Sequence, residues 1–192
     1  WRCGPPRAAS LGGGPPGSIC MTRIVTGGGV PQLTAIMEAK KAAKEFVGRT
    51  VIADGGIKNS GDIVKALAAG ANCVVIGSLL AGTDESPGKK IMKDGNLFKE
   101  YNASTSKSEK DSQLKRNGDQ KRHFKLHIEG VESLVSYQGS VEEVVAILCA
   151  GVRSGFSYCG AKNITQLWKK SRFVQITSAG MRESGSHDVL VV

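Results

Sequence analysis

An α/β protein built on a parallel sheet is the fold class this sequence predicts, and three observations predict it. Short apolar, β-branched runs end in glycine turns at Asp54-Gly55-Gly56 and at Gly77-Ser78, the pattern of buried strands feeding tight loops. Between them lies a helix-length segment, so that strand, glycine turn, helix and strand succeed one another as in a βαβ unit. The composition agrees: 40% of residues are hydrophobic, only 5% are aromatic and 25 are glycine. Such a core rests on Val, Ile, Leu and Ala, with many turns that need freedom from a Cβ. A chain of 192 residues is long enough to bury one.

The elements follow in order. Residues 1–16 are rich in Gly and Pro, show neither a strand pattern nor the apolar stretch of a signal peptide, and read as a disordered leader. The first residue is Trp rather than Met, so the native start is expected to lie upstream. Residues 17–84 hold a Gly-Ser-x-Cys loop and the βα units. Pro31 to Val47 predicts a helix: Pro31 suits its first turn, Leu33, Ile36, Met37 and Ala43 fall mostly on one face, and Gly48 can close it. Residues 50–54 predict a buried strand, Ser60-Gly61-Asp62 opens a helix ending at Gly70, and residues 72–78 predict a second buried strand. Two such units fit a (β/α)₈ barrel or a doubly wound sheet, and spacing does not separate the two.

From residue 85 to 138 polar and charged residues dominate, with hairpin-like turns at Asp94-Gly95 and Asn117-Gly118. A largely irregular stretch of this length reads as a mobile lid or flap. Residues 139–192 then form a closing helix and a tail. Ser140 with Glu143 three residues on has the form of a capping box. A shorter helix is expected over Thr165–Lys170, followed by a strand-like FVQIT run at 173–177.

The formal charge is +9, which favours an anionic partner: nucleotide, nucleic acid or acidic surface. Between Lys107 and Lys125 seven Lys/Arg stand against three acids. This run reads as a solvated loop, because Phe124 is its one aromatic residue for stacking on bases. Cysteines at 3, 20, 73, 149 and 159 are odd in number and form no CxxC pair, against a disulfide framework or zinc site and in keeping with a reducing cytosol. No apolar stretch has the length of a membrane span.

Three places carry chemistry. Gly17-Ser18-Ile19-Cys20-Met21-Thr22 can cradle a phosphate on backbone N–H groups or expose a thiolate, although a lone cysteine is more often a buried core filler. Asp54 at a strand end can accept both hydroxyls of a ribose, or merely cap the following turn. Gly77-Ser78 ends the next strand with N–H groups and a hydroxyl suited to phosphate. Together these features outline a nucleoside monophosphate site at the C-terminal edge of a sheet.

The segments GSICMTRIVTGGGVPQ, IADGGIKNSGDIVKALAAGANCVVIGSLLAGTDESPG, GVRSGFSYCGAKNI and ITSAGMRESGSHDV resemble, in this order, segments of IMP dehydrogenase and its relative GMP reductase. The resemblance covers roughly residues 17–101 and 129–189. It implies the C-terminal portion of a (β/α)₈ TIM barrel with a long flap insertion, in a homotetramer that acts on the purine mononucleotide IMP in the cytoplasm. By the same resemblance Cys20 is the nucleophile that attacks C2 of the hypoxanthine ring, with Thr22 assisting. Hydride passes to NAD, and hydrolysis of the covalent intermediate gives xanthosine monophosphate. Ser18, Gly56, Gly77, Ser78 and Tyr101 are implied as phosphate ligands, Asp54 as the ribose ligand and Glu129 as the contact to the purine edge. A monovalent cation, K+, is implied at backbone carbonyls of Gly17 and Cys20, with Glu183, Ser184 and Gly185 of a neighbouring subunit.

The tail segments look like the dehydrogenase rather than the reductase. GMP reductase, and a non-catalytic nucleotide-binding or RNA-binding fragment, are the alternatives. Three positions depart from the family pattern. Pro15 stands where the loop usually begins with Gly. Asn102-Ala103-Ser104-Thr105-Ser106 follows Tyr101 in place of Arg-Gly-Met-Gly-Ser. No Arg-Tyr dipeptide is present to activate water, and Arg116-Asn117 and Arg122-His123 are the nearest candidates. Strands carrying nicotinamide contacts are expected before residue 1. The isolated chain is therefore expected to be poorly stable and inactive.

Overall fold

The computed structural model describes residues 9–10, 17–46, 48–117 and 128–186. Its first sheet is parallel, with strand order β1 (Ala9–Ser10), β2 (Val51–Asp54) and β3 (Cys73–Val75). Strand β1 pairs Ala9 with Val51 and Ser10 with Ile52. The expectation of a leader without a strand over 1–16 is thus corrected at Ala9–Ser10. Strand pairing is a backbone property, so two residues can join a ladder in a Gly/Pro-rich context that carries no apolar alternation.

Helices α1 (Thr22–Thr26) and α2 (Gln32–Ala43) precede β2, and α3 (Ser60–Ala68) connects β2 to β3. Asn59 caps α3, its side chain accepting the Asp62 N–H. Val51 and Ala53 on β2 are fully buried. They join Ile36 of α2, Ile63, Ala66 and Leu67 of α3, and Ala71 in one apolar core. Two further helices close it: α6 (Val141–Tyr158) and α7 (Ile164–Lys170), whose Leu167 is also fully buried. Helix α6 lies close to α3 through two glycines. A Cβ on Gly151 would stand 2.2 Å from Ser60 Oγ, and one on Gly155 would stand 2.6 Å from a Val64 methyl. Ser140 caps α6 by accepting the Glu142 N–H, one residue earlier than a capping box places it.

Strand β3 departs from the expected burial. Cys73 is exposed and Val75 is 45% exposed. The outermost strand of this sheet has one face that no other described element covers. The FVQIT run is no strand either: residues 171–177 have no ladder partner and Val174 is 81% exposed. β-Branched composition alone does not make a strand when no edge is offered to pair with. The tail ends in α8 (Ser178–Glu183), capped by Thr177.

The segment expected to be an irregular flap holds an antiparallel sheet, β4 (Lys90–Lys93), β5 (Asn96–Asn102) and β6 (Glu132–Ser136), in that order. The Asp94-Gly95 hairpin turn forms as predicted, with φ of +50° and +76°. Asn117 is the last residue of α5 (Lys107–Asn117), and the rest of the predicted Asn117-Gly118 turn lies outside the described residues. The sheet escaped the sequence reading because its most buried side chain is a lysine. Lys99 is 2% exposed, and its ammonium donates to the carbonyls of Thr83, Asp84 and Ser86 at 2.6, 3.3 and 2.5 Å. Helix α4 (Ser78–Ala81) links the two sheets in sequence. Among the described residues no helix is long and apolar enough to cross a membrane, and no cluster of three or more His, Cys, Asp or Glu side chains could hold a metal ion.

Candidate active site

The cysteine loop begins as a turn closed by the Cys20 N–H on the Gly17 carbonyl at 3.1 Å. It is then joined to the start of β6's strand segment, more than a hundred residues away. The Met21 N–H donates to the Glu129 carbonyl at 2.6 Å, the Val131 N–H donates to the Ile19 carbonyl at 3.0 Å, and Cys20 and Gly130 form an antiparallel bridge. This pairing sets three side chains in line. The Cys20 thiol donates to Thr22 Oγ1 at 3.1 Å, and the Thr22 hydroxyl donates to Glu129 Oε2 at 2.5 Å. Cys20 is half-buried. A thiol, a hydroxyl and a carboxylate in sequence form a path by which the thiol can lose its proton to a base, the requirement for a sulfur nucleophile.

Beside this relay the C-terminal ends of β2 and β3 and the cysteine loop enclose a cleft of about 250 Å³. Gly17, Ser18, Asp54, Gly56, Gly77, Ser78 and Tyr101 all line it. The structure therefore brings together every residue that the sequence assigns to phosphate and ribose. Ser18 Oγ donates to Ser78 Oγ at 3.2 Å, tying the cysteine loop to the end of β3. Gly55 and Gly56 have φ of +85° and +77°, which a residue with a Cβ adopts only under strain. Gly77 has a different reason: a Cβ there would lie 2.5 Å from the Tyr101 hydroxyl.

Burial, and then the nearby Asp54 charge, push the Tyr101 phenol above its ordinary range. Neither the Asp54 carboxylate nor the Tyr101 hydroxyl has a hydrogen-bond partner among the described residues. Both are available to a ligand. A wider hollow of about 570 Å³ shares Gly77 and Tyr101 with the cleft but lacks Asp54, and Cys20 lines neither of the two.

Not every predicted residue converges. Glu183, Ser184 and Gly185 sit exposed at the C-terminal end of α8, where the Ser184 and Gly185 N–H groups turn back onto helix carbonyls, and they do not line the cleft. Arg116 and Asn117 fall in α5; Pro15, Arg122 and His123 lie outside the described residues. Three contributors were missed. Gln32 donates to the Asp54 carbonyl at 2.7 Å, Gly130 bridges to Cys20, and Lys58 lines the cleft. Only Lys58 had a signal, its place two residues after the Asp-Gly-Gly turn.

A family model described as the IMP dehydrogenase / GMP reductase domain matches residues 8–187. The chain belongs to this family. It is 53% identical over 186 residues to the inosine-5′-monophosphate dehydrogenase of Aquifex aeolicus, covering 96% of this chain and 37% of that protein. It is 46% identical over 180 residues to a GMP reductase of Leishmania donovani, covering 91% and 36%. A crystal structure of GMP reductase from Trypanosoma brucei in complex with guanosine 5′-monophosphate superposes with a TM-score of 0.85 at 45% identity, over 93% of this chain and 36% of that one. The chain thus spans little more than a third of the length of these relatives. Their names divide between the family's two activities.

Proposed function

We propose that this chain carries the nucleophile and nucleotide-holding part of an IMP dehydrogenase-like oxidoreductase, which converts IMP, NAD and water to xanthosine monophosphate and NADH. The observation that carries the reading is the Cys20–Thr22–Glu129 relay beside a cleft of phosphate-type and ribose-type ligands. In this reading the parallel sheet is the last part of a (β/α)₈ barrel, whose site lies at the C-terminal strand ends.

Glu129, acting through the Thr22 hydroxyl, draws the proton from Cys20, and the sulfur adds to C2 of the purine. Asp54 accepts the ribose hydroxyls. Ser18, Ser78, Tyr101 and the backbone at Gly56 and Gly77 hold the phosphate. NAD, when bound, supplies the acceptor for the C2 hydride. Water then adds at C2 and loses one proton to solvent, the C–S bond breaks and the thiol regains its proton, so that one H+ is released per turnover. The same relay, run in either direction, serves both proton transfers. The carbonyls of Gly17 and Cys20 offer the neutral oxygen ligands that K+ prefers. Exposure of Glu183–Gly185 suits a contribution to the loop of a neighbouring copy, as in a homotetramer.

GMP reductase is the second reading. Asn102–Ser106 after Tyr101 departs from the dehydrogenase pattern, and the solved structure reported above is a GMP reductase complex. A calorimetric titration of IMP and GMP into the folded chain tests the proposal. Saturable binding of IMP, lost in Asp54→Ala, is the expected result; a folded chain that binds neither nucleotide contradicts it. In a longer protein that carries this chain together with the strands expected before residue 1, formation of NADH from IMP and NAD, against consumption of NADPH with GMP, separates the two reactions.

A further inference from the structure

The site geometry leaves one charged cleft residue without a role, Lys58. It lines the cleft beside Gly56 and Tyr101, immediately before the Asn59 cap of α3. Its backbone is fixed, the N–H donating to Asp62 Oδ2 at 3.1 Å. Its ammonium has neither an ion-pair nor a hydrogen-bond partner among the described residues. Asp62, four residues on, pairs instead with Lys65 at 3.5 Å.

Charge decides what this ammonium is for. Among the described residues, the only other charged side chain lining the cleft is Asp54. The formal charge of the lining is zero with Lys58 and −1 without it. A phosphate monoester near neutral pH brings about −1.5 to −2. Ser18, Ser78 and the glycine backbone give direction to a phosphate, but they contribute no net charge. Without Lys58 the cleft would repel the group it is shaped to hold. An ammonium on a flexible four-carbon stem can move to the phosphate while its backbone stays fixed.

We infer that Lys58 recognises the charge of the phosphate, selecting nucleoside monophosphates over nucleosides. The inference rests on the nucleotide reading above and deepens it. Because Lys58 is exposed, its contribution has the size of a surface ion pair, about five-fold in affinity, and weakens as salt screens it.

The test titrates IMP into the full chain and into Lys58→Gln and Lys58→Arg, at low and high salt, with inosine and inorganic phosphate as competitors. The expected result is that Lys58→Gln weakens IMP and phosphate by about five-fold, leaves inosine unchanged and flattens the salt dependence. Lys58→Arg should keep the native behaviour. Unchanged IMP affinity in Lys58→Gln would overturn the inference while leaving the nucleotide site standing. An equal loss for IMP and inosine would overturn it too, since Lys58 would then only shape the loop. A folded native chain that binds neither IMP nor inosine removes the nucleotide reading itself, and this inference with it.

Discussion

The two sheets of this molecule bury opposite kinds of side chain. Every buried apolar residue among those described lies outside residues 85–138, and the cluster centred on β2, α3 and α7 holds most of them. The antiparallel sheet and its adjoining helix α5 bury Lys99, Ser106 and Lys110 instead. Stability in the first region comes from apolar area and close packing. In the second it comes from a lysine ammonium that satisfies three carbonyls. The candidate site lies where the two meet: the parallel sheet supplies Asp54, Gly56, Gly77 and Ser78, while the other region supplies Tyr101 and Glu129. In the proposed reading, the parallel sheet supplies the phosphate and ribose contacts and the polar segment supplies the base.

The largest effect should come from the apolar side. Leu167→Ala deletes a fully buried side chain and should cost about 2–5 kcal/mol in denaturant unfolding. That is much of a typical domain's total of about 5–15 kcal/mol. A loss below about 1 kcal/mol would show that the site collapses to fill the gap.

Lys99→Met removes the ammonium from the Thr83, Asp84 and Ser86 carbonyls, of which only Thr83's keeps a second donor among the described residues, the Ser86 N–H, and should cost about 1–3 kcal/mol. Amide exchange should quicken in β4 and β5 and stay unchanged in β2; equal acceleration in all three would erase the contrast between the regions. Asn59→Ala removes the α3 cap and should cost about 1 kcal/mol, read as a shift in the unfolding midpoint.

The smallest effect is electrostatic. The Tyr101 phenol is raised by burial and by Asp54, so this raised pKa stabilises the fold below the ordinary tyrosine range. That contribution is lost as pH climbs through the folded value, in the alkaline limb near and above pH ~10. Asp54→Asn should lower the Tyr101 pKa in a spectroscopic titration of tyrosinate. No change would mean that the two side chains do not share the cleft.

Much of the apolar region was legible. Strands β2 and β3 and helices α2, α3 and α6 announce themselves by β-branched runs, glycine stops and caps, because burial there is apolar and periodic. What the parallel region concealed was exposure: Cys73 and Val75 sit in an apolar run yet face away from the described core, and no local pattern tells which face of a strand is covered. In the polar region the hairpin at Asp94-Gly95 was readable from turn chemistry. Its strands were not, since β5 buries a lysine and sequence scales count lysine as surface. The site residues were readable as motifs, but the relay was not. Nothing local to Cys20-Met21-Thr22 indicates that Glu129 will arrive across a backbone pairing. Lys58 was missed for a related reason, because a lysine in a turn is ordinarily a solvated charge.

The most direct test of the account is the rate at which iodoacetamide modifies each cysteine of the native chain, read by peptide mapping. Cys73 and Cys149 are exposed and lie outside both the cysteine loop and the relay, so they act as internal controls. The account predicts that IMP slows modification of Cys20 alone, and that Thr22→Ala and Glu129→Gln each slow it without ligand, by interrupting the path for the thiol proton. Modification of Cys20 at an unchanged rate, with IMP present and in both variants, would contradict it.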